Sequence, residues 1–228
     1  MFNKFFEKTL KNYISIEWIP LLKNYTTTRK HKKNERIFNE GDEVKGIFFI
    51  NDGMVKVVSH YDATNERILR LSSSGDFLGH RAISSERYPV SAIALTDVEV
   101  TFITIDFFLL LLKSNPEFSL YIINFLTNDL KKSEDLMKSM IHNEVIIRAG
   151  ILICMLIDAF GYDPKNPKKL NYTLARKDMA NMAVTTYETI IRNLAKLEEM
   201  KVIKLTNKEI YVLNEGALRK LVSVKNRT

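Results

Sequence analysis

Hydrophobic spacing changes character along the chain. Over residues 35–105 apolar positions come in short runs: Ile37-Phe38, Ile47-Phe48-Phe49-Ile50, Met54-Val55-Lys56-Val57-Val58, Ile68-Leu69-Arg70-Leu71, Ser91-Ala92-Ile93-Ala94 and residues 98–105. Gly41-Asp42, Asn51-Asp52-Gly53, residues 62–65 and Gly75-Asp76 punctuate them. Many short strands with regular turn signals predict a β sandwich or barrel. No repeat long enough for a solenoid is present.

Elsewhere the spacing is helical. Residues 1–20 read as one amphipathic helix, with Phe2, Phe5, Phe6, Leu10 and Tyr13 as apolar contacts and Trp18 and Ile19 docking it on the neighbouring β region. The basic run around His31, residues 30–33, reads as a solvated face before a strand. Residues 106–112 predict a short helix, broken at Asn115-Pro116. Residues 117–142 predict one long helix. Along it Ile123, Leu126, Leu130, Ser133, Met137 and Met140 alternate steps of three and four, a coiled-coil seam expected to join two copies in parallel. Ile122 and Phe125 give the same helix a second apolar side for its own barrel. A hinge is expected at His142-Asn143, then a buried helix over 145–160 stopped by Gly161, then a loop over 163–169.

The stretch 172–213 carries the chemistry. Two short helices joined at Val184-Thr185-Thr186 make a helix-turn-helix. In the second, Ile190, Leu194 and Leu197 share a buried face, with Ile191 at its edge and Tyr187 at the helix start, while Glu188, Arg192 and Lys196 line the other face. Thr186 is placed to cap it. Two β runs around Thr206-Asn207-Lys208 form a hairpin, here a wing. A helix fits the major groove, where base edges offer a donor and acceptor code. Arg192 can fork onto guanine and Glu188 can accept from cytosine. Arg176, Lys177, Thr186 and Thr189 are placed to hold phosphates. The plainer alternative is a solvated helix with a Glu–Arg pair one turn apart, worth only about 0.2–0.5 kcal/mol.

Charge weighs against that alternative. The net charge is +7, and residues 144–228 hold 15 Lys and Arg against 9 Asp and Glu, so the basic excess sits with the helix-turn-helix. A basic surface also suits an anionic membrane, but no lipidation motif, spanning segment or signal peptide is readable, and the expected location is the cytoplasm. The single cysteine, Cys154, lies in an apolar run and reads as a buried thiol. It rules out a disulfide framework and a cysteine-ligated iron–sulfur cluster. His31, His60 and His142 show no metal-ligand spacing. There is no nucleophile–base pair and no phosphate-cradling Gly-rich loop, so an enzyme is not expected.

Taken in order, these pieces resemble the Crp/Fnr family of bacterial transcription regulators over roughly residues 20 to 215. The residues that carry the resemblance are Phe38-Asn39-Glu40-Gly41-Asp42, Ile47-Phe48-Phe49-Ile50, Asp52-Gly53, Val55-Lys56-Val57 and Gly75-Asp76-Phe77-Leu78-Gly79, then Arg176-Lys177-Asp178-Met179-Ala180 and Glu188-Thr189-Ile190-Ile191-Arg192. The resemblance implies an α+β protein. Its N-terminal double-stranded β-helix (β-roll) would be a cyclic-nucleotide-binding-like sensor domain over 1–115. A dimerisation helix and hinge over 116–143 and a winged helix-turn-helix over 144–228 would come after it. It implies a homodimer on double-stranded DNA, with RNA polymerase as a further partner through surface loops that carry no readable motif. The dimer interface would use Ile123, Leu126, Leu130, Met137 and Met140. By position Glu188 and Arg192 match the base-reading pair, and Arg176, Thr186 and Thr189 match phosphate contacts. The family's first reading Arg falls on Tyr187 here, and its turn Gly falls near Val184.

In cyclic-nucleotide-binding members a Gly-Glu pair and an Arg-Ser pair hold the ribose and phosphate. Here those places read Gly79-His80 and Tyr88-Pro89, which argues against cyclic AMP. Gly79, His80, Arg81 and Arg87 remain as effector-binding candidates, for another anion, an apolar effector or none. Haem needs only an axial ligand, and His80 is a candidate, but a hydrogen-bonded or solvated histidine is the preferred reading. The alternative function, a ligand-responsive adaptor that no longer reads DNA, draws on Val184 and Tyr187, where the chain departs from the family.

Overall fold

The computed structural model describes residues 4–60 and 66–223. The apolar contact expected of Phe2 and the turn over 62–65 lie outside the described residues. The chain divides into two compact units, Met1–Lys132 and Ser133–Thr228.

The first unit begins with helix α1 (Lys4–Leu10), a 3-10 turn at Ile16–Trp18 and helix α2 (Ile19–Tyr25). The single helix expected over 1–20 is therefore broken. Pro20 sits in the first turn of α2. It has no N–H to donate and would clash with the carbonyl one turn back, so it fits only at a helix start. Strands β1 (Thr26–His31), β2 (Arg36–Phe38), β3 (Gly46–Asp52), β4 (Met54–His60), β5 (Glu66–Ser73), β6 (Phe77–Leu78), β7 (Ser91–Ala94) and β8 (Val98–Thr104) come next. Among the described residues they form two antiparallel sheets, in the orders β1-β8-β3-β6 and β2-β7-β4-β5.

The unbroken apolar run of β3 now has a cause. Phe48 and Ile50 point into the roll, with Val55, Val57, Val100 and Phe102. Ile47 and Phe49 point outward and are covered by Phe6, Leu10, Leu22, Phe108, Leu111 and Phe118 from the helices. Side chains alternate faces along a strand, and here both faces are buried. Gly46 is required at the start of β3, since a Cβ there would lie 2.1 Å from the Ile103 carbonyl oxygen. Strand β1, polar throughout, pairs with β8 from Thr26↔Ile103 to His31↔Val98. The basic run around His31 is thus partly strand. Helix α3 (Ile105–Ser114) closes the roll, and α4 (Pro116–His142) extends from it.

In the second unit, α5 (Val145–Phe160) ends where Gly161 takes a positive φ of 68° and its N–H reaches the Ile157 carbonyl. The loop expected over 163–169 is instead a hairpin, β9 (Tyr162–Asp163) and β10 (Asn166–Leu170). Pro167 falls where the pairing register shifts, a place that tolerates a missing donor. Helices α6 (Arg176–Met182) and α7 (Tyr187–Glu199), strands β11 (Ile203–Thr206) and β12 (Glu209–Val212), and helix α8 (Glu215–Ser223) complete it. The wing pairs Ile203↔Val212 through Thr206↔Glu209, and β12 also pairs with β10, so the sheet order is β11-β12-β10-β9. No described helix is long and apolar enough to cross a membrane.

Candidate nucleic-acid interface and sensor cluster

Helix α7 is seated by Ile190, Leu194 and Leu197, each fully buried. Burying side chains of this size contributes about 1.5–3 kcal/mol apiece, which fixes how the helix is rotated. Thr186 caps it: its Oγ1 accepts from the Thr189 N–H at 3.2 Å and donates to Thr189 Oγ1 at 2.9 Å. Asn193 is buried and donates to the Thr189 carbonyl.

The turn between α6 and α7 is held from behind. Arg148 on α5 sends Nη1 to the carbonyls of Ala183 at 2.8 Å and Val184 at 3.2 Å, with the Met140 carbonyl at 3.4 Å. Val184 itself has a φ of 50°, a left-handed conformation strained for a β-branched residue. It is the position near which the family places glycine. The spacing of apolar residues did not single out Arg148, whose role depends on carbonyls 35 and 36 residues away.

Most of the expected DNA-facing residues lie on the surface. Lys177, Thr186, Tyr187, Glu188, Arg192 and Lys196 are exposed, and no ion pair joins Glu188 to Arg192 among the described residues. Thr189 is half-buried. Arg176 is also half-buried, its Nη1 3.5 Å from the Met179 sulfur, and burial lowers its pKa from the ordinary arginine value. It still opens α6.

In the first unit the effector candidates part company. Gly79 takes a φ of 81° and starts a 3-10 turn at His80–Ala82. His80 is buried, and Nδ1 lies 3.1 Å from the Phe77 carbonyl. A neutral ring therefore donates through Nδ1. Nε2 faces Arg70 Nη1 at 3.4 Å and Asp129 Oδ2 at 3.3 Å. Both ring nitrogens thus face protein groups. Asp129, on α4, also binds Arg70 Nη1 at 2.9 Å and Arg81 Nη2 at 3.3 Å. Arg70 further donates to the Phe77 carbonyl and Ser72 Oγ, and its guanidinium lies 5.4 Å from the Phe125 ring centroid.

Burial pushes the His80 pKa down, and the neighbouring Arg70 adds to this against the pull of Asp129. Burial would raise Asp129, but its hydrogen bonds and the cationic side chains around it hold it well below the usual carboxylate range. The cavity beside the cluster, lined by Gly79, His80, Arg81, Tyr88 and Pro89 among others, is about 10 Å³, room for about one water. Arg87 does not join the site. It is exposed, and Nη1 donates to the Gly41 carbonyl at 2.7 Å. Nothing in the local sequence pattern had marked Arg70 or Asp129 as members of this cluster.

The residues expected to form the dimer seam on α4 differ in exposure. Ile123, Leu130 and Met137 are 55%, 60% and 58% exposed, as a seam awaiting a partner needs. Leu126 instead packs on the core of its own roll, and Met140 is buried. Both positions are already used within the chain. Leu120 and Ile141 are exposed in their place. The free stripe therefore runs Leu120, Ile123, Thr127, Leu130, Glu134, Met137, Ile141, still in steps of three and four.

Residues 28–115 match the cyclic nucleotide-binding domain and residues 149–221 match the Crp-like helix-turn-helix domain. The chain is 24% identical over 197 residues to the fumarate and nitrate reduction regulatory protein of Vibrio cholerae serotype O1, covering 86% of this chain and 79% of that protein. It is 26% identical over 193 residues to the protein of the same name from Escherichia coli K12, covering 83% and 76%. The fold is similar to that of FixK2 from Bradyrhizobium japonicum, with a TM-score of 0.76 at 17% identity over 86% of this chain and 96% of that one.

Proposed function

The chain belongs to the Crp/Fnr family and is a transcription regulator, not an enzyme, with a helix-turn-helix and a cyclic-nucleotide-binding-like domain; from that premise we propose that it is a homodimer reading a two-fold symmetric DNA sequence through α7. The observation that carries this is α7 itself. It is capped by Thr186, seated by three fully buried side chains, and presents Glu188, Arg192 and Lys196 outward without pairing Glu188 to Arg192. A guanidinium kept clear of its neighbouring carboxylate is available to fork onto guanine. Lys177, Thr186 and Thr189 would hold phosphates, with Arg176 in a lesser part. The exposed stripe on α4 supports the dimer, whose symmetry would place two copies of α7 on two half-sites.

Control belongs to the Asp129 cluster. Asp129 ties α4 to β5 and to the turn at His80–Ala82. An anionic effector competing for Arg70 and Arg81 would release that tie, and would change activity only in so far as it bound one arrangement of α4 more tightly. The small cavity means that such an effector must open the cluster to enter. RNA polymerase is the expected further partner. Replacing Arg192 by Ala should cost about 1–3 kcal/mol on the preferred duplex and almost nothing on a shuffled one. Fluorescence anisotropy on both duplexes measures this, and an equal loss on the two would refute base reading by Arg192.

A further inference from the structure

Two helix ends meet at one side chain in the second unit. Helix α4 finishes at His142 and α6 at Met182. The last carbonyls of a helix have no partner within it and carry the negative end of its dipole. At the end of α4, Asn143 Nδ2 donates to the Ser139 carbonyl at 3.1 Å, and Arg148 Nη1 lies 3.4 Å from the next carbonyl, that of Met140. The same nitrogen donates to the carbonyls of Ala183, the C-cap of α6, and of Val184, at 2.8 and 3.2 Å. Ser139, Met140, Asn143 and Ala183 are buried, so little water competes for these contacts. Arg148 stands in the first turn of α5 between buried Ile147 and Ala149, which fix its direction. Its Nε is buried without a partner among the described residues, so this placement does not best satisfy the arginine alone.

We propose that Arg148 is a positioning residue for DNA reading: one guanidinium closes the ends of α4 and α6 and thereby fixes the turn that aims α7. The inference rests on the DNA-binding function proposed for α7. Arg148 acts through the turn and not on the DNA. It holds the carbonyls on either side of the strained φ of Val184, two residues before the Thr186 cap. Without the guanidinium, Val184 relaxes and the entry to α7 shifts with it. The Met140 contact makes the turn follow the end of α4. Lysine supplies the charge but not the planar array of donors.

The test compares full-length wild type with Arg148→Met, which keeps a long side chain and removes its donors. Binding is measured on the duplex that wild type selects from a random pool and on a shuffled one, at a temperature where circular dichroism shows both proteins folded. The variant should bind the selected duplex about tenfold or more weakly, the scale of a lost hydrogen bond to a charged group, and the shuffled duplex nearly as before. Adding Val184→Gly should recover most of the loss, because glycine takes the left-handed conformation unaided. If Arg148→Met does not fold, Arg148→Lys makes the same comparison with a smaller expected loss. Wild-type selectivity in the folded variant overturns the proposal. So does an equal loss on both duplexes, which a merely structural role would give, or a loss that Val184→Gly leaves unchanged. Selection of no duplex by wild type would instead overturn the DNA-reading premise, and the proposal with it.

Discussion

Val184 is the residue at which local preference and structure disagree most. A β-branched side chain at a φ of 50° is held there by the turn and by the Arg148 hydrogen bonds to carbonyls 183 and 184. The left-handed conformation costs about 1–2 kcal/mol for a residue with a Cβ. Glycine would remove that cost but lose about 0.5–1 kcal/mol to backbone entropy. Val184→Gly should therefore stabilise the protein by up to about 1 kcal/mol, seen as a higher midpoint in denaturant unfolding. A lower midpoint would show that the valine side chain packs usefully in the turn. The cap at Thr186 and the outward placing of Arg192 were legible in the sequence, because both depend on neighbours within one helical turn. Asp129 was not. Its partners Arg70 and His80 lie 59 and 49 residues away, and nothing local marks a carboxylate in a helix as one that three basic side chains surround.

Helix α4 shows what periodicity gives and where it stops at the scale of an element. The three-and-four alternation correctly implied a helix with an unused apolar stripe. It did not distinguish the stripe through Leu126 and Met140 from the adjacent one through Leu120 and Ile141, since both share Ile123, Leu130 and Met137. Which stripe is free depends on what packs over each position within its own unit. Leu130→Glu should thus dissociate the proposed dimer, with sedimentation reporting a monomer, whereas the matching change at exposed Asn128 should leave it intact. A dimer that survives Leu130→Glu would put the interface elsewhere. The same helix carries Asp129, whose side chain is 12% exposed. Asp129→Asn removes the charge that Arg70 and Arg81 share, and breaking a buried pair in this way costs about 3–5 kcal/mol. Unfolding of the N-terminal unit should move to lower denaturant by that amount. A shift below about 1 kcal/mol, the scale of a surface pair, would contradict a structural tie. Strand β1 escaped the sequence reading because an all-polar run shows no alternation, although its three threonines favour extended chain. Strands β9 and β10 escaped because Pro164 and Pro167 read as breakers.

At the scale of the whole molecule, the order of parts carried more information than any one of them. Short strands, a long helix and a winged helix pair are each common, and their sequence together pointed to the family that the domain matches then bore out. The Asp129 cluster was the least legible part, since it lies in contacts among β5, the turn at His80–Ala82 and α4, which only folding brings together. The central claim is that two copies present α7 to one duplex. It is tested most directly by selecting bound duplexes from a random pool with the purified full-length protein at low salt. The account predicts a two-fold symmetric consensus whose half-sites lie one helical turn, about 34–36 Å, apart. Enrichment of an asymmetric single site, or of none with or without added cell metabolites, would contradict it.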